Sequence, residues 1–511
     1  MKSIRAAGLT LFVVLVATGM ALATPVTIRI LHVNDFHGFA EPYTPLGGDK
    51  PLGGVAWLAS KVNQLRAEKP SLLLAAGDMI QGNNWANLSQ GASVIELMNL
   101  MRFDAETVGN HEFDFGQEVL RQRIAEARFP VLGANVEGIS SISPYVILEV
   151  AGVKVAIVGV VTGDTPVSTH PKNVTGLKFS PPEATLGYLV PALRRQADIV
   201  IALTHVGHPE DRQLAETVPG IDLIVGGHSH TRVESPVRIS SSAVVQAWEH
   251  GKALGVVDLT VDDGKVMAIE GRLEDIRPNK GRPDRPVAML VKKYRKQVDK
   301  VLEGEVGVAA VPLDGENVRK RETNLGNLVA DIMRSASGAD AALINGGGIR
   351  ASIPKGRIQV KHIYTTLPFD NYIVAVRLTG AQIREALEHG VAKVEQKAGA
   401  FPQVSGIVLR YDPSAPPGSR VKEVSIGGKP LDPNKEYTVA TNDFLAAGGD
   451  GYKAFGDAIK GSPSYAVVGG IMKGEKLVYS DAGRWLRDVV IDALKQKTVS
   501  PAVEGRITEV R

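Results

Sequence analysis

Apolar residues in this chain follow two alternating rhythms. From Val26 to about residue 275, short runs rich in Val, Ile and Leu read as buried strands: "TIRILHV", "SLLLAAG", "FPVLGANV", "VKVAIVGVV", "DIVIALTHV", "IDLIVGG" and "SSAVVQAW". Stretches with helical spacing sit between them, among them "VAWLASKVNQLRAE" and "ASVIELMNLM". This alternation predicts stacked α/β layers.

The rhythm breaks after Asp275. "RPNKGRPDRP" is a charged Pro/Gly-rich linker, and "VAMLVKKYRKQVDKVLEG" reads as one exposed helix behind it. Residues 277–304 are therefore the expected connection between a first domain, 24–276, and a second, 305–511. The second has its own helix, "NLGNLVADIMRSAS", with strands and glycine loops, and closes on a strand in "VEGRITEVR".

The first 23 residues read as an export signal. Lys2 and Arg5 give the positive start, "LTLFVVLVATGMAL" the apolar run and Ala21-Leu22-Ala23 the small-residue cleavage site. This predicts a periplasmic or extracellular protein, without stable membrane insertion once the signal is cleaved.

Composition narrows the chemistry. A net charge of +3 over 511 residues provides no basic field for nucleic acid. With no cysteine, thiol nucleophiles and thiolate metal sites are excluded, so any metal must use N and O ligands.

Nine of the eleven histidines lie at or before His250. Asp35 and His37 follow "TIRILHV", Asp78 follows "SLLLAAG", and Asn110 and His111 follow "DAETVG". His205 ends "DIVIALTH", and His228 and His230 follow "IDLIVGG". Singly, "DFH" reads as a turn, Asp78 as a helix cap and His205 as a core histidine. Together, five strand ends deliver donors to the crevice where open α/β sheets bind ligands. Two Asp, one Asn and four His exceed one ion's needs and suit two, with one carboxylate bridging. Two divalent ions about 3.5–4 Å apart clamp a phosphoryl group and acidify water. The mixed N/O set favours Zn, Mn, Fe, Co or Ni over Ca or Mg.

The order D-x-H, GD, GNHE, H, GH-x-H resembles the calcineurin-like metallophosphoesterases, which implies a four-layer αββα sandwich for the first domain. The resemblance implies one ion on Asp35, His37, Asp78 and His230, and another on Asp78, Asn110, His205 and His228. It implies that His111 faces the scissile phosphate, as transition-state stabiliser or acid, with Asp114 orienting it. Glu112 is left with a structural role.

The second domain carries "RKRETNLGNL", "NGGGIR", "LPFDN" and "NDFLAAGGDGY". Taken singly, these read as tight turns with solvated Arg or Asp, and Phe369 and Phe444 as core. In combination they resemble the C-terminal domain of the bacterial and animal 5′-nucleotidase family, a separate α/β substrate-binding domain. That resemblance implies that Arg319 and Arg350 grip phosphate with Asn345 nearby, that Phe369 and Phe444 sandwich the base, and that Asp450 accepts from ribose hydroxyls. Asp370 and Trp248 depart from the family pattern beside the base platform and the metal loops. His170 reads as structural.

The expectation is an exported phosphoric ester hydrolase that splits nucleoside 5′-monophosphates by in-line attack of a metal-bound hydroxide. The alternatives are a UDP-sugar hydrolase, a 2′,3′-cyclic-nucleotide phosphodiesterase or a broad nucleotide phosphatase. A thiosulfohydrolase-like dinuclear enzyme is disfavoured by the paired Phe and two Arg. A non-catalytic nucleotide-binding protein is disfavoured by the complete ligand set.

Overall fold

The computed structural model describes residues 25–44, 50–278, 281–468 and 471–510. The proposed export signal lies outside the described residues. Among the described residues no helix is long and apolar enough to cross a membrane.

The strand Val26–Val33 shows how the N-terminal half is built. Its side chains alternate: Ile28 and Ile30 join one buried cluster, Leu31 and Val33 another. It therefore has apolar neighbours on both faces. The strand pairs in parallel with Ser71–Ala75 and antiparallel with Ala253–Asp262. The sheet runs Lys265–Asp275, Ala253–Asp262, Val26–Val33, Ser71–Ala75, Ala105–Thr107, Val131–Leu132. A second sheet runs Val237–Ile239, Ser242–Gln246, Leu223–Gly226, Ile199–His205, Val153–Val161, Tyr145–Val150.

An aliphatic layer that includes Ile30, Leu74, Ile157 and Ile201 fills the space between the sheets. Val55–Glu68, Ala92–Met101 and Gln117–Glu126 cover the first sheet's outer face. Pro182–Leu193 and His208–Thr217 cover the second sheet's. The result is a four-layer αββα sandwich. The helix Arg285–Leu302 joins it: Val287 and Leu290 are buried against the first helical layer, while Met289 and Val301 face solvent.

The C-terminal half is a separate α/β unit. Its main sheet runs Pro402–Ser405, Ala341–Asn345, Glu436–Asn442, Tyr372–Thr379, Leu477–Trp485. Asn324–Ser337 and Leu486–Leu494 cover one face, and Gly380–Val391 and Lys453–Lys460 the other. The helix Asn324–Ser337 begins where Thr323 Oγ1 accepts from Gly326 N, and ends at left-handed Gly338. The final strand, Ile507–Glu509, lies parallel to Ile407–Tyr411 in a smaller sheet.

Topology brings the candidate loops together. Ala341–Asn345 and Glu436–Asn442 are parallel, so the loops after Asn345 and Asn442 leave one edge. Tyr372–Thr379 runs antiparallel with Ile373 opposite Asn442, which places Phe369 at the same edge as Phe444.

Candidate functional site

A cleft of about 1740 Å³ separates the two halves. Asp78, Asn110, His111, His228 and His230 line it from one side; Arg319, Asn345, Arg350, Phe369, Phe444 and Asp450 line it from the other. Asp35, His37 and His205 are buried. Asp114 also reaches the cleft.

The N-terminal donors follow parallel strands whose ends share one edge. Five of them, Asp35, His37, Asp78, His228 and His230, have left-handed backbones, with φ between 49° and 75°. Asp and His are among the few non-glycine residues found there, and such strain gathers at functional sites. Two groups result, each with ligand atoms within 4.8 Å of one another: Asp35, His37 and His230; and Asp78, His205 and His228. Asp78 Oδ2 stands between them, 3.2 Å from His205 Nε2 and 3.8 Å from His37 Nε2.

Outer hydrogen bonds decide which nitrogens face inward. Nδ1 of His37 bonds the carbonyl of Gln81, Nδ1 of His205 that of Ala76, and Nδ1 of His230 the carboxylate of Glu249. Each Nδ1 is thereby a donor, so each neutral ring presents an Nε2 lone pair. His37 Nε2 and His230 Nε2 are then 3.2 Å apart, and His205 Nε2 is buried beside a carboxylate with no hydrogen-bond partner among the described residues. Lone pairs converging on lone pairs and carboxylates need a cation. Asn110 adds to this: Nδ2 donates to Ser168 O, leaving Oδ1 buried and, among the described residues, unpartnered. The residues fit a divalent metal.

The titration behaviour agrees. Burial, helped by Arg350, holds His37 well below 6.5, and burial with His205 takes His228 to about 3. Burial also lowers His205, but Asp78 overrides it and pushes it up to about 10, a second sign of the demand for positive charge.

His111 is held by the same chemistry. Its backbone N–H donates to Asp78 Oδ1 at 2.9 Å, and its Nδ1 lies 2.6 Å from Asp114 Oδ2. Asp114 is fixed in turn by Thr169 Oγ1 at 2.6 Å and Asn173 Nδ2 at 2.8 Å. Burial lowers the His111 pKa, yet Asp114 and Asp78 outweigh it and the net direction is upward. Gly109 permits this turn, because a Cβ there would lie 2.2 Å from Asp78 Oδ1.

On the opposite wall, Arg350 Nη2 lies 3.2 Å from His37 Nε2. Arg319 is desolvated, and burial with Arg350 nearby lowers it to about 10. Asn345 Nδ2 donates to Asp450 Oδ2 at 2.6 Å. Phe369 stacks on His111, ring centroids 5.8 Å apart and planes 28° apart. Phe444 lies over Gly449, where a Cβ would meet its ring at 2.3 Å.

Two family models divide the chain at the halves described above. Residues 28–232 match the calcineurin-like phosphoesterase model, and residues 305–457 the 5′-nucleotidase C-terminal domain. The 5′-nucleotidase of Diplobatis ommata is 34% identical over 96% of this chain and 92% of its own.

The chain belongs to the 5′-nucleotidase family.

It is a phosphoric ester hydrolase, acting on nucleotide phosphoesters. The crystal structure of a 5′-nucleotidase precursor from Thermus thermophilus superposes with a TM-score of 0.84 at 34% identity, covering 95% of this chain and 99% of that one. The trifunctional nucleotide phosphoesterase YfkN of Bacillus subtilis is 35% identical over 94% of this chain, which spans 35% of that protein's length.

Around this 5′-nucleotidase-family site the sequence reading passes over Glu249, whereas it gives Glu112 a structural role, and the structure supplies the partners of both. Glu112 accepts from the backbone N–H groups of Asp78, Met79, Ile80 and Gly109, holding the Asp78 loop against the Asn110 loop. Glu249 receives His230 Nδ1 and the ammonium of Lys252. Trp248, noted as a departure, carries Lys252 Nζ 3.7 Å from its ring centroid, and its carbonyl accepts from Asn34. Asp370, the other departure, pairs with Arg487. His170 spans the halves, with Nε2 3.3 Å from Asp443 Oδ2.

Proposed function

We propose that this protein is an exported, metal-dependent 5′-nucleotidase that hydrolyses nucleoside 5′-monophosphates to nucleoside and phosphate. The observation that carries the reading is the position of Asp78 Oδ2 between two donor groups, opposite two arginines and two phenylalanines.

In this reading Asp35, His37, Asp78 and His230 hold one divalent ion, and Asp78, Asn110, His205 and His228 hold the other. The chemistry such a pair supplies when bound is activation of water and neutralisation of charge at a phosphoryl group. Arg319 and Arg350 bind the phosphate oxygens, and the forked guanidinium suits that geometry. His111, charged through Asp114, stabilises the transition state and protonates the leaving ribose oxygen. Phe369 and Phe444 sandwich the base, Asp450 accepts from ribose hydroxyls, and Asn345 keeps Asp450 in place. Aromatic stacking accepts any base, so base preference is broad.

A hydrolysis panel on purified protein tests this: AMP, other monophosphates, ATP, a UDP-sugar, a cyclic nucleotide and a plain sugar phosphate, with chelator or added Mn, Zn or Mg. Chelator-sensitive release of phosphate, fastest from monophosphates, is expected. Activity indifferent to chelation, or confined to non-nucleotide esters, overturns the reading.

A further inference from the structure

We propose that Arg487 is a positioning residue that fixes the Phe369 ring and so sets the preference for a nucleotide over a base-free phosphate ester. The proposal rests on the reading of Phe369 as a base platform.

Arg487 lies in the first turn of the helix Leu486–Leu494 and is buried. Its Nη1 donates to the carbonyl of Phe369 at 3.0 Å and, more weakly, to that of Pro368 at 3.4 Å. Its Nη2 pairs with the carboxylate of Asp370, and its Cζ sits 4.6 Å from the centroid of the Tyr364 ring. Nε has no partner. One guanidinium is therefore committed to three consecutive residues, 368–370, the middle one being Phe369.

Fold stability alone does not call for this arrangement. A buried cation balanced by a single carboxylate, itself 62% exposed, is a poor stabiliser compared with an apolar side chain of the same volume. The arrangement does restrain the loop. Arg487 grips it from behind, and Leu486 N holds Asn371 O at 2.7 Å. Across the cleft, Asn87 Nδ2 donates to the same Pro368 carbonyl at 3.3 Å. Phe369 is thus set against His111 before any substrate arrives, and a platform ordered in advance spares the binding step that cost.

The test uses the full chain with Arg487→Met, Asp370→Asn and Phe369→Ala, assayed on AMP and on ribose 5-phosphate. Arg487→Met is expected to raise KM for AMP about two- to tenfold, the ordering cost of one side chain, while kcat and the kinetics on ribose 5-phosphate hold. Asp370→Asn is expected to move the same ratio less, and it decides the matter if Arg487→Met does not fold. The proposal is overturned if both esters lose activity by the same factor, or if neither changes. Phe369→Ala separates the two levels. If it leaves the AMP to ribose 5-phosphate ratio untouched, the base-platform reading fails; if it shifts the ratio while Arg487→Met and Asp370→Asn do not, only the role of Arg487 fails.

Discussion

Arg350 of the C-terminal half reaches across the cleft to within 3.2 Å of His37 in the N-terminal half. The guanidinium and the candidate metal donors therefore come from different halves and meet at the cleft. Arg350→Ala is expected to lower kcat/KM on AMP about 100-fold with metal content unchanged, and Arg350→Lys to recover only part of it. Steady-state kinetics beside elemental analysis of the same preparations checks both statements.

His111 and Asp114 act as a pair. His111→Ala is expected to lower kcat about 10²- to 10⁴-fold while bound metal stays. Asp114 raises the His111 pKa, so Asp114→Asn lowers it. With protonated His111 as the active form, the alkaline limb of the pH–rate profile should move to lower pH in Asp114→Asn. A limb that stays in place would remove His111 as the acid.

Glu112 accepts four backbone N–H groups in the interior. Glu112→Ala leaves them unpaired and is expected to cost about 3 kcal/mol or more, seen as a lower denaturation midpoint, with loss of metal following. Glu112→Gln keeps one acceptor oxygen and should fall between the two.

Glu249 fixes the ring of His230 through Nδ1. Glu249→Gln is expected to weaken metal binding at the Asp35–His37–His230 group about 10- to 100-fold, measured by competition with a chromogenic chelator. The Asp78–His205–His228 group, which Glu249 does not contact, should keep its affinity.

Asp211 is buried beneath the His205 strand, where Thr204 Oγ1 donates to it at 2.6 Å; burial pushes its pKa up to about 8. The unfolded chain releases this proton near 3.8, so between about pH 4 and 8 only the folded state holds it. Its contribution to stability is therefore full below that window and is lost as the pH rises through it. Asp211→Asn should flatten that slope in urea unfolding measured across the same range.

The candidate metal donors stand out in the sequence because each follows an apolar strand run, and a strand end is a place the sequence marks. Asp35, Asp78 and His205 needed no knowledge of distant contacts. The supporting contacts did: the structural role read for Glu112 named no partner, and Arg487 was passed over, because both bind backbone groups and an amide or carbonyl carries no residue code. Glu249 was passed over in "AWEHG" because its partner His230 lies nineteen positions away. Arg285–Leu302 reads as one exposed helix because its solvent face is long and charged, yet Val287 and Leu290 tie it to the first helical layer. "FPVLGANV" shrinks to the two-residue edge strand Val131–Leu132, cut short as the chain turns at Gly133.

The left-handed backbone at Asp35, His37, Asp78, His228 and His230 bears on how such a site changes over generations. A change there to Ala, Val or Leu removes a candidate donor and strains the turn in one step, so it costs twice. Exchanges among Asp, Asn and His keep the turn and alter only the donor. The backbone thereby limits these five positions to a handful of residue types.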